Sequence, residues 1–117
     1  MKGDELRDRT KQFALRVIRM YCCLPKSPEA QVLGKQVLRS GTSVAANYRE
    51  ACRARSDVEL IAKFGIVEQE LDESLLWMEL LVESAIVPRE KMMELMTEVD
   101  ALLRMTVTGI KKLKTRV

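Results

Sequence analysis

The sequence predicts an all-α protein: one domain over residues 1–117, folded as an antiparallel up-down-up-down four-helix bundle. Three observations lead there. Apolar residues recur at helical spacing through almost the whole chain. Prolines at 25, 28 and 88, with serines at 27 and 56, cut that pattern into four segments. Aromatic residues make up 4% of the 117 residues and glycines number five, too few β-formers and turn residues for a sandwich or barrel.

The first helix is expected over about 4–24, with Leu6, Phe13, Val17, Met20 and Leu24 on one face and Pro25 ending it. The second is expected over about 28–54. Ser27 is its N-cap, Pro28 its first helical residue and Glu29 an early acid that suits the helix dipole. Its inward residues are Leu33, Val37, Ser40, Val44, Tyr48 and Ala51. Ser56 with Glu59 three residues on forms a capping box, which starts the third helix near 57 and carries it to about 85. Its stripe reads Leu60, Phe64, Val67, Leu71, Leu75, Met78, Val82 and Ala85. After Pro88 the fourth helix, about 89–114, is striped by Met92, Leu95, Met96, Val99, Leu102, Leu103, Ile110 and Leu113.

Several functions are disfavoured at once. With no histidine, the chain lacks the commonest general base and metal ligand, so a non-enzymatic protein is expected. Gly41 and Gly65 stand alone in helical patterns, not in a phosphate-binding loop. The acids Glu68, Glu70, Asp72 and Glu73 lack the histidines of a di-iron bundle site; an all-carboxylate magnesium site is the minor alternative, and neither metal nor cofactor is expected. Cys22, Cys23 and Cys52 have no metal-ligand spacing and read as reduced thiols. No apolar run is long enough for a membrane span and the N-terminus has no signal-peptide pattern, so a cytoplasmic protein is expected.

A formal net charge of +3 hides a sorting by helix. Residues 27–55 carry five basic and two acidic side chains, whereas 56–87 carry one basic and eight acidic. At about 100° per residue, Lys35, Arg39, Arg49 and Arg53 share one face of the second helix, opposite Leu33, Val37 and Val44. Glu68, Asp72, Glu79 and Glu83 share a face of the third. Ile66, Trp77 and Leu80 form a second apolar side on that helix, and a helix apolar on two sides wants two partners. Homo-oligomerisation is therefore expected, with Ile66, Trp77, Leu80, Glu68, Asp72 and Glu79 at the interface. The basic row is either a track for phosphates or one half of complementary stripes between proteins.

Residues 39–51 are unusual for a helix interior. Gly41 costs about 1 kcal/mol there relative to alanine. Close approach of another helix explains it best; the alternative is a polar site on Ser43, Asn47 and Glu50, which share a face. This stretch, Leu38-Arg39-Ser40-Gly41-Thr42-Ser43-Val44-Ala45-Ala46-Asn47-Tyr48-Arg49-Glu50-Ala51, with Glu70-Leu71-Asp72-Glu73-Ser74-Leu75-Leu76-Trp77 and the turn at 24–29, resembles the 23S ribosomal RNA intervening-sequence family. Proteins related to that family include the accessory variability determinants of diversity-generating retroelements. The resemblance implies a bundle protomer assembling into a homopentameric ring, with Ser43, Asn47 and Glu50 as part of its motif. In the retroelement branch it implies a basic surface that engages nucleic acid and a reverse transcriptase. Here that property maps onto Lys35, Arg39, Arg49, Arg53, Lys111, Lys112 and Lys114, with Arg116 beside them. The function expected is an accessory factor binding structured RNA or DNA; the alternative is a protein-interaction scaffold.

Overall fold

A computed structural model describes residues 3–117; the first two residues of the expected domain lie outside the described residues. Four helices account for it: α1 Gly3–Cys22, α2 Pro28–Ala51, α3 Asp57–Glu83 and α4 Arg89–Lys114. No strand occurs among the described residues. The molecule measures 47 × 20 × 19 Å, and the 27 residues of α3 at about 1.5 Å each nearly span its long axis.

The starts of the helices follow local chemistry. Ser27 Oγ accepts from the Ala30 N–H at 3.3 Å, and Ser56 Oγ from the Glu59 N–H at 3.1 Å. The Glu59 carboxylate reaches back to the Arg55 N–H, one residue before the cap (3.3 Å). Three helices end two or three residues earlier than the periodicity implied, because the chain tightens before it turns. Cys23 and Leu24 donate to the carbonyls of Met20 and Tyr21, and Arg53 and Ala54 to those of Glu50 and Ala51. After α3, Ile86 N–H bonds the Leu81 carbonyl and Ala85 N–H that of Val82, both at 3.0 Å. This is a Schellman closure with Ala85 at φ 63° in the left-handed region. Ala85 was expected at the inner end of the α3 stripe, but the closure turns it out to solvent.

Consecutive helices pack on one another and α4 also packs on α1, while α1 and α3 are not neighbours. The core draws on all four helices, with Phe13 and Val17 of α1, Val37 of α2, Leu71, Met78 and Leu81 of α3 and Leu102 of α4 fully or almost fully buried. α1 and α2 touch most closely at glycines. A Cβ on Gly41 would stand 2.9 Å from both Val17 methyls, and one on Gly34 would stand 2.6 Å from Leu24 Cδ1. The expected close approach at Gly41 is therefore present, and Gly34, seven residues earlier, extends it along the same face. Between α2 and α3 the buried Ser40 and Ser74 hydroxyls bond each other at 2.8 Å. Tyr48 stacks on Phe64, with ring centroids 5.9 Å apart. Arg9 ties α1 to α4 through two bonds to Glu98, 2.7 and 2.8 Å, and those bonds raise its pKa.

Candidate nucleic-acid interface

The close seating of α1 on α2 brings two basic rows together. On α1, Arg7 and Lys11 lie one turn apart; Arg49 in the last turn of α2 and Arg53, in the tightened turn just past its end, are likewise four residues apart. The four line an open groove of about 460 Å³ whose other walls are Ala45, Ala46 and Glu50. Among the described residues, Lys11, Arg49 and Arg53 have no acidic partner within 4.0 Å. Arg7 bonds Asp4 at 3.1 Å across an exposed contact, which water and salt screen. Small alanine side chains leave the floor shallow, so a phosphate chain could lie along it without first displacing protein atoms.

The basic row expected on α2 thus divides between two edges. Arg49 and Arg53 lean to the α1 side. Arg39 leans to the α3 side, where its guanidinium meets Glu70 at 3.4 Å and also Glu73. Lys35 is exposed near the start of α2, away from the groove. Glu50 pairs with Lys63 of α3 at 3.3 Å. Asn47 donates to the Ser43 carbonyl within its own helix at 2.8 Å. Ser43, Asn47 and Glu50 do not converge on a common point in these contacts.

At the end of α4, Lys111, Lys112 and Lys114 are exposed. Arg116 makes a two-pronged pair with Asp57, at 3.1 and 2.8 Å, and so pins the chain end to the start of α3. That places the lysines at the same end of the molecule as Arg53, which shares a shallow hollow with Arg55, Glu59 and Lys63. A second basic seam lies between α1 and α4, where Arg16, Arg19 and Lys91 meet Glu94. Neither Arg7 and Lys11 nor this seam was expected from the sequence. The spacing of Arg7 and Lys11 was visible, but their meeting with Arg49 and Arg53 depends on which face of α1 the glycines of α2 receive.

Tyr48 sits beside the groove, 5% exposed. Its hydroxyl pKa is pushed up to about 12, first by burial and then by the neighbouring Cys52. The phenol is neutral at physiological pH. No group of three or more His, Cys, Asp or Glu side chains among the described residues is placed to hold a metal ion.

On the opposite side, Ile66 and Leu80 of α3 are exposed, with Leu76 between them more so. Glu68, Asp72 and Glu79 have no basic partner within 4.0 Å among the described residues. Trp77 is half-buried and packs against the core, and its indole Nε1 is buried without a hydrogen-bond partner. No helix among the described residues is long and apolar enough to cross a membrane.

A family model described as 23S rRNA-intervening sequence protein matches residues 5–108. The chain belongs to that family. The match covers all four helices apart from the extreme ends of α1 and α4, and so includes the groove but stops short of the lysine tail. A similar solved structure is that of a protein with unknown function from the S23 ribosomal protein family of Bacteroides thetaiotaomicron VPI-5482. It is 33% identical, with a TM-score of 0.88, over 95% of this chain and 99% of the other. No curated protein is similar to this chain. Membership in the intervening-sequence family thus fixes the helical fold and leaves the activity to be argued from the surface.

Proposed function

We propose that this intervening-sequence family protein is a non-enzymatic, oligomeric bundle that binds structured RNA or DNA through the α1–α2 groove. The observation that carries it is the meeting of Arg7 and Lys11 of α1 with Arg49 of α2 and Arg53 just past its end, three of them without an acidic partner among the described residues. The charge of Lys11, Arg49 and Arg53 is available to phosphates because no acid pairs with them within the protomer among the described residues, and Arg7 is held only by an exposed pair with Asp4. Lys111, Lys112 and Lys114 extend the positive surface at the same end. The helices are read as running up, down, up and down, supported by contacts whose numbers run in opposite directions: Arg39 to Glu70 but Glu50 to Lys63. The homopentameric ring and the retroelement kinship belong to this reading, with a reverse transcriptase as the protein partner that kinship implies.

Four neutralised phosphates on a duplex give a slope of about −3.6 in log K against log salt. Affinity for a structured RNA should then fall about 100-fold between about 50 and 200 mM salt. Fluorescence anisotropy with a labelled RNA hairpin measures this directly. Arg49→Glu/Arg53→Glu should abolish binding at low salt. Wild-type affinity in that variant would remove the groove from consideration.

The second reading is a protein-interaction scaffold. It is favoured by Ile66, Leu76 and Leu80, exposed beside unpaired acids on α3. Pull-down by this face should be lost in Leu76→Glu/Leu80→Glu and unaffected by the groove variant.

A further inference from the structure

Exposed apolar side chains are not confined to α3. On α1, Leu15 and Ile18 are 37% and 38% exposed, against 46% and 38% for Leu76 and Leu80. Leu15 and Ile18 lie three residues apart and Leu76 and Leu80 four, so each pair forms a contiguous ridge on its helix. At about 100° per residue, Leu15 and Ile18 point away from the buried Phe13 and Val17, and Leu76 and Leu80 away from Val67 and Leu71. Because α1 and α3 are not neighbours, the two ridges lie on opposite sides of the protomer.

The charges around them have opposite sign. Lys11 and Arg19 flank the α1 ridge, with Asp8 the acid at its N-terminal end. Asp72, Glu79 and Glu83 surround the α3 ridge. None of these three acids, and neither Lys11 nor Arg19, has an oppositely charged partner within 4.0 Å among the described residues. An apolar pair framed by unpaired cations therefore matches an apolar pair framed by unpaired anions. Two identical α3 faces meeting across a two-fold axis would instead oppose acid to acid, and two α1 faces cation to cation.

We infer that the Leu15/Ile18 face of α1 in one copy receives the Leu76/Leu80 face of α3 from the next, a head-to-tail interface between copies of this chain. This inference rests on the oligomeric part of the proposed function and names the two surfaces that make it. Because the surfaces differ, the contact is heterologous: repeated, it closes into a ring or runs on as a filament.

Half-interface variants separate this geometry from others. Leu15→Glu/Ile18→Glu spoils the α1 face and leaves α3 intact; Leu76→Glu/Leu80→Glu does the reverse. Both spoiled faces gain acid, so they cannot attract each other. Light scattering should show wild type as an assembly and each variant at the 13.4 kDa of a single chain. Mixed one to one, the variants should form a complex of twice that mass, because each supplies the face the other lacks. Circular dichroism and a cooperative melt establish folding, and Leu15→Ser/Ile18→Ser with Leu76→Ser/Leu80→Ser replace any glutamate variant that does not fold. An α1 variant that keeps the wild-type mass overturns the inference while leaving an oligomer, as does a mixture that stays monomeric. A wild-type chain that is monomeric at every concentration overturns the oligomeric reading and the inference together.

Discussion

Replacing Gly41 with alanine puts the seating of α1 on α2, and hence the groove, under direct strain. The new Cβ would lie 2.9 Å from Cγ1 and Cγ2 of Val17 and 3.2 Å from its Cβ. Valine in a helix is held to one main rotamer, and Val17 is fully buried, so no flexible end can swing aside. The two helices must part by some tenths of an ångström. Alanine's intrinsic advantage in a helix is about 1 kcal/mol, and overpacking a tight core costs about 1–3 kcal/mol. The net is a loss of about 1 kcal/mol. Gly65 is the control, because a Cβ there meets nothing within 4 Å and alanine should stabilise by about 0.5–1 kcal/mol. At about 2.1 cal/mol/K per residue, 117 residues unfold with about 0.25 kcal/mol/K, so 1 kcal/mol shifts Tm by about 4 °C. Scanning calorimetry at one fixed protein concentration should show Gly41→Ala melting about 4 °C below wild type and Gly65→Ala about 2–4 °C above it. A Gly41→Ala protein melting at or above wild type would refute the claim that glycine is required by the approach of Val17.

Three further changes follow from the same structure. Ala85→Gly removes the penalty of a side chain at φ 63° in the α3 closure and should raise stability by about 1 kcal/mol in urea unfolding, with an unchanged m-value. Ser74→Ala leaves the buried Ser40 hydroxyl with only the Val37 carbonyl at 3.4 Å and should cost about 1–2 kcal/mol; Ser40→Ala/Ser74→Ala should recover part of that, the signature of a coupled pair in a double-mutant cycle. Tyr48 keeps its proton to about pH 12 in the folded chain but loses it near pH 10 when unfolded. Its contribution is therefore complete below pH 10 and disappears as pH rises through about 12, at most about 3 kcal/mol, a loss that Tyr48→Phe should lack in denaturant titrations across that range.

The helices were legible because their punctuation is chemical. Ser27, Pro28 and the Ser56–Glu59 pair each satisfy or avoid orphan N–H groups, and no tertiary contact is needed to recognise them. Their ends were less legible, since a tightened last turn and a left-handed Ala85 leave no mark in an apolar pattern. The inward face of α3 was also blurred. Apolar on several sides, that helix allowed Leu75 and Val82 as core, while the buried set centres on Val67, Leu71, Ser74, Met78 and Leu81. The candidate site was half legible. A single helix displays Arg49 and Arg53, but whether an arginine is free or paired depends on the neighbouring helix. Arg39 lies only 40–80° around α2 from them and falls beside Glu70 and Glu73.

The cationic groove and the two apolar ridges are distinct surfaces whose uses one variable can separate. The groove is framed by Arg7, Lys11, Arg49 and Arg53, so binding of a phosphate chain there draws on counterion release and falls steeply with salt. The α1 and α3 ridges offer apolar pairs whose burial is nearly insensitive to salt, with charges that choose the partner face. Raising salt from about 50 to 200 mM should therefore strip RNA from the groove while leaving the wild-type mass in light scattering largely unchanged. Lys11 borders both surfaces. Lys11→Ala should weaken RNA binding and lower the salt slope by about 1, yet leave assembly intact because Leu15 and Ile18 remain. If Lys11→Ala instead dissolved the assembly without changing the RNA slope, the division would be drawn in the wrong place: α1 would be holding copies together chiefly by charge, and the groove's phosphate track would rest on α2 alone.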